Sequence, residues 1–291
     1  MAPVTGQVPE SFALIAGKGV YPLLLARSAR RQGVKRIFAI AFRHETDPAI
    51  GDLVDDIRWL PLGRFAAMLA ALKESGMTCA VLAGLIAPTH LFRIQPDAKA
   101  LALLRALPRK NAHTIFGAVA EELGRIGLHV LPASLFMEDH MPAAGVLSRR
   151  PPDPAERRDI ELGLHVADLT SGLNIGQTVV VKDGTVLAVE AFEGTDETIR
   201  RGGRLGGPGA VVVKVAKRGH DMRFDIPAIG LTTLKELRKI KARALAVQEG
   251  RAILLERDKV VAAADRMGLC LTAVPVPSGA PQEKPDRVGK P

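Results

Sequence analysis

The stretch Ser11-Phe-Ala-Leu-Ile-Ala16-Gly17-Lys18-Gly19-Val-Tyr-Pro22 decides the fold class. The five residues after Ser11 form a continuous apolar run, which is typical of a strand buried on both faces. Gly17-Lys18-Gly19 predicts a tight turn. Pro22 suits the first turn of a helix, where its missing N–H costs nothing. The sequence therefore predicts a strand, a turn and a helix that ends near Gly33.

The same alternation of strand and helix continues through the first half of the chain. We expect strands at Arg36–Phe42, Trp59–Pro61, Cys79–Leu85 and His129–Pro132, with helices at residues 64–74, 96–107 and 114–126. Alternating elements joined by short turns predict a parallel sheet with right-handed crossovers. We therefore expect a Rossmann-like α/β domain over residues 1–142. The Pro-rich, charged stretch 141–158 predicts the boundary.

The second half predicts another α/β domain, over residues 143–277, with a mixed sheet and helices. Asp153 is a candidate cap for a helix over 155–169, and Asp183-Gly184 predicts the turn of a β-hairpin. Residues 202–209 predict a glycine-rich turn. The other expected elements are strands at Ala210–Val215, Met222–Ile226 and Cys270–Val276 and helices at Leu231–Ala246 and Lys259–Met267. The composition of residues 278–291 predicts a disordered tail.

Composition limits the partners. Forty Lys and Arg against 31 Asp and Glu give a net charge of +9, which favours anionic partners but also suits a soluble basic protein. Basic residues are scattered apart from a run at 235–243, and only 4% of residues are aromatic, so we expect no nucleic-acid partner. Two unrelated cysteines predict no disulfide. With no long apolar segment, we expect a cytoplasmic protein, in contact with the inner membrane at most peripherally.

The strongest chemical signal is the acidic and basic segment Asp221-Met-Arg223-Phe-Asp225. On a strand these three charged residues would share one face, with the two carboxylates about 13 Å apart. That spacing prevents both from binding one cation, because Mg²⁺ accepts oxygens at about 2.1 Å. At most one of them would be a direct ligand. A solvated Asp–Arg pair explains the spacing equally well.

A second group of ionisable residues lies upstream. Glu190 shares an otherwise apolar strand face, so its carboxylate needs a partner or a function. Glu193 and Asp196 flank Gly194-Thr195, where the simpler interpretation is a helix cap. Lys214 follows a buried strand and, like Lys217, is able to hold phosphate. Gln177 adds a neutral hydrogen-bonding group.

The Gly17-Lys18-Gly19 turn invites a dinucleotide-binding interpretation, but the third glycine of that fingerprint is absent. Backbone N–H groups at the helix start, assisted by Lys18, would hold a phosphate or hydroxyl. A plain strand–helix turn explains the sequence at least as well.

Several motifs resemble the LpxI branch of UDP-2,3-diacylglucosamine pyrophosphatases, over roughly residues 11 to 275. They are Ile15-Ala-Gly-Lys-Gly19 with Pro22, Leu82-Ala-Gly84, Ile175-Gly-Gln-Thr-Val-Val180, Leu187-Ala-Val-Glu-Ala191 with Glu193-Gly-Thr-Asp196, and Val213-Lys214 with His220-Asp-Met-Arg-Phe-Asp-Ile-Pro227 and Gly230. The resemblance implies two α/β domains with the lipid product bound between them. It also implies a Mg²⁺-dependent hydrolase of lipid A synthesis, which releases UMP and the acylated sugar 1-phosphate from a lipid-linked nucleotide sugar. We further expect a homo-oligomer.

The resemblance also implies roles for individual residues. The expected catalytic residues are Asp225, Asp221 and Glu193, and the expected metal ligands are Asp225 and Glu190. The expected substrate-binding residues are Gly17, Lys18, Gly19, Gln177, Thr195, Asp196, Lys214, Lys217 and Arg223. The chain departs from the family pattern at Asn111-Ala112-His113, where the family usually has Gly-Asp-Asp. A divergent, non-catalytic or regulatory homologue that binds an anionic lipid or nucleotide is therefore the alternative.

Overall fold

A computed structural model describes residues 8–85, 96–108, 112–217, 223 and 226–276 of the 291-residue chain. The described chain divides into two compact units: the residues up to Glu138 together with Arg223 form the first, and the other residues from Asp139 onward form the second. The boundary predicted after residue 142 lies close to this division. No helix in the described ranges is long and apolar enough to cross a bilayer.

The first unit is built on a parallel sheet of five strands, as the sequence predicts. The strands are β1 (Ser11–Ala16), β2 (Arg36–Phe42), β3 (Asp56–Leu60), β4 (Cys79–Ala83) and β5 (His129–Val130), in the order β3-β2-β1-β4-β5. The helices are α1 (Tyr21–Arg31), α2 (Phe65–Glu74), α3 (Ala98–Ala106) and α4 (Ala112–Arg125), with a 3₁₀ helix at Pro48–Leu53. This strand order is that of the first five strands of a doubly wound sheet. The third strand begins at Asp56 rather than at Trp59.

Local signals set the limits of α1. Pro22 lies in the first turn of the helix. Gly33, just beyond its end, has φ +96°, a conformation that glycine adopts without steric cost. The apolar run of β1 is buried along its length because strands and helices cover it on all sides.

The second unit has a mixed sheet of six strands. Its strands and helices are α5 (Pro154–Gly172), β6 (Gly145–Val146), β7 (Thr178–Lys182), β8 (Thr185–Val189), α6 (Thr195–Gly206), β9 (Val211–Lys214), β10 (Ala228–Ile229), α7 (Leu231–Lys239), β11 (Ala244–Gln248), β12 (Ile253–Leu254), α8 (Arg257–Met267) and β13 (Cys270–Val274). The sheet order is β6-β13-β11-β9-β7-β8, and β10 pairs with β12 separately. The predicted fold class, two α/β domains with a parallel and a mixed sheet, is confirmed.

Two local predictions in this unit are confirmed. The Asp153 carboxylate accepts the Glu156 N–H, and the Glu156 side chain accepts the Asp153 N–H, which completes a capping box for α5. Asp183 and Gly184 have φ of +49° and +74°, as a two-residue hairpin turn of type I′ requires. The buried Asp159 accepts both of their N–H groups.

The single helix predicted over Leu231–Ala246 is wrong, because α7 ends at Lys239 and Ala244–Gln248 is the strand β11. Lys241 has φ +51°, which breaks the helix without a glycine. β11 lies between β9 and β13 and is buried throughout. A short run rich in alanine does not distinguish a buried strand from a helix by its periodicity.

The glycine-rich turn predicted over residues 202–209 is wrong for residues 202–206, which belong to α6, and only residues 207–209 lie in a turn. A Cβ on Gly202 would lie 2.6 Å from a Cγ of Val180, and one on Gly203 would lie 2.2 Å from a Cγ of Ile240. These glycines let α6 pack closely against β7 and against the end of α7. Their function is tertiary packing rather than turn formation.

The strand predicted at Met222–Ile226 falls largely outside the described residues. Arg223 is described and exposed, and Ile226 lies outside any strand. The tail at 278–291 is likewise outside the described residues.

Candidate functional site

Polar side chains lie at one end of the strands of the second sheet. The strands β8, β9 and β11 end there, and the antiparallel β7 begins there, with Thr178 opposite Lys214. The Lys214 Nζ donates to Thr195 Oγ1 at 3.0 Å and to the Ala228 carbonyl at 3.4 Å. The Thr195 hydroxyl in turn donates to Glu190 Oε1 at 3.1 Å. We call Thr178, Glu190, Thr195, Asp196 and Lys214 the Lys214 cluster.

The backbone fixes the position of Glu190. Its N–H donates to the Thr178 carbonyl at 2.8 Å, directly after β8. The Gln177 N–H donates weakly to Glu190 Oε2, at 3.4 Å. A Cβ on Gly176 would lie 2.0 Å from the Glu190 carbonyl oxygen, so only glycine permits this crossing of the two chain segments. The backbone of Glu190 is therefore held in place independently of its side chain.

Asp196 brings a carboxyl group with a shifted pKa to the cluster. Burial raises the pKa of Asp196, the Glu236 carboxylate raises it further, and the Lys214 ammonium opposes both. The charge of Glu190 also raises the pKa of Asp196. A carboxylate with a raised pKa is a stronger base than an ordinary one, so Asp196 is a candidate for proton exchange with a ligand.

An ion-pair network behind the cluster joins α6 to α7. The buried Glu236 accepts from Arg200 Nε at 2.9 Å and from Lys239 Nζ at 2.9 Å. These two hydrogen bonds lower the pKa of Glu236 from 4.5 to about 2. Ionised Glu236 thus supports the helix pair beside Asp196.

Replacing Glu236 by Gln should weaken the pH dependence of stability in acid. Because the pKa of Glu236 is lower in the folded chain, its contribution is present above about pH 4.5 and is lost as the pH falls toward 2. We expect the free energy of unfolding of the unmodified protein to fall by about 1 kcal/mol more than that of Glu236→Gln over this range, since half-exposed partners are partly screened. Urea unfolding at several pH values measures this. Glu161→Gln, on the exposed face of α5, should behave like the unmodified protein.

Glu193 has a different environment from Glu190. It accepts from Arg201 at 2.6 Å, from the Ala191 N–H at 3.2 Å and from the Thr198 hydroxyl at 3.3 Å. Burial alone would raise the pKa of Glu193, but hydrogen bonds from its own N–H and from Arg201 outweigh burial and lower it. These contacts hold the turn before α6, and a catalytic role for Glu193 stays a prediction.

In the first unit, the turn after β1 is joined to the turn after β4. The Gly17 N–H donates to the Ala83 carbonyl at 2.7 Å, and the Lys18 N–H donates to the Leu85 carbonyl at 2.9 Å. A Cβ on Gly17 would lie 2.9 Å from the Gly84 backbone, which explains the pair of glycines. Two N–H groups expected to bind phosphate are therefore already bonded to backbone. The roles predicted for the Lys18 side chain and for Gly19 stay predictions.

Comparison with known proteins shows the family. The family models described as the LpxI N-terminal domain and the LpxI C-terminal domain match residues 11–140 and 143–272. The chain is 32% identical over 289 residues to the UDP-2,3-diacylglucosamine pyrophosphatase LpxI of Caulobacter vibrioides, covering 95% of this chain and 100% of that relative. The chain belongs to the LpxI family. The family resemblance inferred from the sequence motifs is thus confirmed.

Not every site residue expected from the LpxI resemblance can be placed. Asp221 and Asp225, the expected carboxylates of the catalytic segment, lie outside the described residues. Asn111 of the divergent segment also lies outside them, while Ala112 begins α4. The structure therefore brings together Glu190, Thr195, Asp196 and Lys214, with Gln177 beside them. Lys217 follows on the same chain segment and is half-buried.

The sequence analysis did not predict three groups that contribute to this candidate site. They are the Thr178 hydroxyl, 3.4 Å from that of Thr195, the Ala228 carbonyl that accepts from Lys214, and Gln248. Gln248 Oε1 accepts the Ala216 N–H at 2.9 Å and so orients the segment between Lys214 and Lys217. A glutamine at the end of a buried apolar run was the available signal for Gln248. A backbone carbonyl gives no sequence signal.

Proposed function

We propose that this protein hydrolyses the diphosphate of UDP-2,3-diacylglucosamine to UMP and 2,3-diacylglucosamine 1-phosphate, a step of lipid A biosynthesis. The observation that carries the proposal is the 32% identity along the whole length of a relative named for this activity. The Lys214 cluster supports it, because it joins the ammonium of Lys214, the carboxylate of Glu190 and the carboxyl group of Asp196, whose pKa is raised.

The reaction needs water and charge neutralisation. The oxygen of water forms a bond to one phosphorus, the bond from that phosphorus to the bridging oxygen breaks, and each product keeps one phosphate. A base takes the proton that water loses, and basic groups stabilise the charge that develops on the phosphate oxygens. Lys214 has three N–H donors, of which two reach Thr195 and Ala228. We propose that the third donates to a phosphate oxygen.

Carboxyl groups would complete the chemistry. We propose that Glu190 and Asp225 orient the attacking water and that the carboxylate of Asp196, whose pKa is raised, takes the proton that the water loses. Lys217 and Arg223 would hold phosphate, and Gln177 and Thr195 would supply neutral hydrogen bonds to the substrate.

The cluster fits a magnesium ion that is held partly by the substrate. The described part of the chain contains no group of three His, Cys, Asp or Glu residues able to hold a metal by themselves. Mg²⁺ usually takes one or two carboxylates together with phosphates and water, so such a group is not required. Glu190, whose Oε2 accepts a weak hydrogen bond from the Gln177 N–H, would offer one carboxylate, and Asp225 would offer the other. When bound, Mg²⁺ would neutralise charge on the diphosphate.

The proposed substrate also predicts where in the cell the protein acts. A cytoplasmic protein that acts on this substrate would meet it at the inner membrane surface, because two acyl chains keep the sugar nucleotide in the bilayer. The homo-oligomeric state stays a prediction.

The direct test is release of UMP. Purified protein should release UMP from detergent-dispersed UDP-2,3-diacylglucosamine with Mg²⁺, and Asp225→Ala and Glu190→Gln should lower kcat about 100-fold or more. Glu161→Gln, an exposed carboxylate on α5, serves as the matched control and should keep the activity. If the unmodified protein releases no UMP with any divalent cation, the hydrolase is excluded. The protein would then be interpreted as the non-catalytic homologue that Ala112 and His113 suggest.

A further inference from the structure

Gln248 carries a hydrogen-bond donor that has no acceptor among the described residues. Gln248 is the last residue of β11 and is only 6% exposed. Its Oε1 accepts the Ala216 N–H at 2.9 Å. Because an N–H must face the oxygen of an amide, this contact assigns the other atom as Nε2, which has two N–H donors. In the described ranges, no side chain or carbonyl accepts a hydrogen bond from this Nε2.

A donor without an acceptor is unusual on a side chain that is this buried. Most buried polar side-chain atoms in proteins have a hydrogen-bond partner. The Nε2 of Gln248 is not sealed in the core, since it reaches solvent at the carboxyl end of β11. An amide that is held by its oxygen and open at its nitrogen is therefore suited to bind a ligand that carries acceptor oxygens.

The surroundings of Gln248 hold the amide rigidly. β11 lies between β9 and β13, and Gln248 pairs with Val274 of β13. The Val215 N–H donates to the Gln177 carbonyl at 2.9 Å, so residues 215 and 216 are bonded to chain segments on both sides. Both residues are buried. A donor on such a support keeps its position without a ligand and loses little conformational entropy when a ligand binds.

Gln248 lies at the same end of the strands as the Lys214 cluster, but on the other face of the sheet. Val247 is opposite Lys214 in the register of β11 and β9, and successive side chains of a strand project to opposite faces. The Gln248 amide reaches the backbone of Ala216, and Lys217 is the next residue. Lys217 is half-buried and forms no ion pair with another described residue. An amide donor close to an unneutralised ammonium favours an anionic ligand.

We propose that Nε2 of Gln248 donates to a phosphate oxygen of the nucleotide-sugar diphosphate, so that Gln248 is a substrate-binding residue beside Lys217. The choice of a diphosphate rests on the proposed function, whereas the unpaired donor and the neighbouring cation indicate only an anion. The Ala216 N–H keeps the amide from turning round, because the opposite orientation would place two N–H groups against each other. Gln248 therefore presents donors, and not its oxygen, to the ligand.

Gln248→Glu separates this role from the support of Ala216. The carboxylate still accepts the Ala216 N–H, but a second acceptor oxygen replaces the two N–H donors. Isothermal titration calorimetry with inorganic pyrophosphate should show a Kd that rises about 10- to 100-fold, as expected when a hydrogen bond to a charged group is lost. The rise should persist at high salt, where repulsion of an anion that does not touch residue 248 would be screened.

An unchanged Kd, or a rise that disappears at high salt, would mean that Gln248 only supports Ala216, and would overturn the proposal. Gln32→Glu is the matched control, because Gln32 is exposed at the end of α1 and the change of charge is the same. This control should leave the Kd unchanged. Urea unfolding shows whether Gln248→Glu is folded.

Nuclear magnetic resonance of the unmodified protein, isotopically labelled on its glutamine side chains, tests the contact without any substitution. The side-chain N–H signals of Gln248, identified by their nuclear Overhauser effect to the Ala216 N–H, should shift as pyrophosphate is added. Signals that do not move, or a protein that binds no pyrophosphate, would also overturn the proposal. UMP release is measured separately. Release with an unchanged Kd excludes only the role of Gln248, and pyrophosphate binding through Gln248 without release excludes only the hydrolase.

Discussion

Lys214→Gln should lower kcat for UMP release about 100-fold while the protein stays folded, because removing one preorganised donor to a developing phosphate charge typically costs 10²–10³ in rate. Glutamine keeps part of the length of lysine but has no charge. Lys214→Arg should not restore the rate, since the flat guanidinium does not reproduce the point charge and its contacts with Thr195 and Ala228. Steady-state kinetics of UMP release measures both variants.

Lys182 provides the matched control for this experiment. It ends β7 at the opposite edge of the same sheet, is half-buried, and donates to the Gly206 carbonyl at 2.7 Å. Lys182→Gln should keep kcat within about twofold, since its ammonium lies far along the strand from the cluster. Thermal unfolding of both variants separates lost stability from lost catalysis. If Lys214→Gln retains kcat with intact folding, Lys214 does not contact the reacting phosphate.

Elements whose signals are local were predictable from sequence. The Asp153 cap, the Asp183-Gly184 turn and the start of α1 at Pro22 each depend on a few neighbouring residues. The parallel sheet of the first unit was predicted because apolar strand segments alternate with helical segments along the sequence. These predictions needed no knowledge of which elements touch.

Elements decided by distant contacts were not predictable. Ala244–Gln248 is a strand because β9 and β13 lie on either side of it, and nothing in its own composition says so. Lys241 adopts a left-handed conformation that lysine rarely takes, so the sequence did not predict that α7 ends there. Tertiary packing overrides propensity in both places.

The candidate site shows the same division. The sequence predicted four members of the cluster individually, from ionisable residues beside apolar runs and from the family motifs. They are Glu190, Thr195, Asp196 and Lys214. Their hydrogen-bonded order, with Thr195 between a cation and a carboxylate, depends on β7 and β9 pairing with Thr178 opposite Lys214. The register in which two strands far apart in sequence pair cannot be predicted from either strand alone.

Gly202→Ala should destabilise the protein by about 2–3 kcal/mol, although alanine is normally the better helix former. The added Cβ would lie 2.6 Å from a Cγ and 2.7 Å from the Cβ of Val180, which is fully buried in β7. β7 is held between β8 and β9, and Val180 is buried, so neither moves easily and α6 must move away from the sheet. Chemical denaturation measures the change in the free energy of unfolding.

Gly117→Ala in α4 is the control with the opposite expected sign. Gly117 also lies inside a helix, but nothing lies within 4 Å of where its Cβ would be, so alanine should stabilise the protein by about 0.5–1 kcal/mol. Combining Gly202→Ala with Val180→Ala isolates the clash. If steric overlap with Val180 causes the loss, the double variant should be more stable than the sum of the single changes predicts. Additive effects would mean that Gly202 matters for a reason other than its contact with β7.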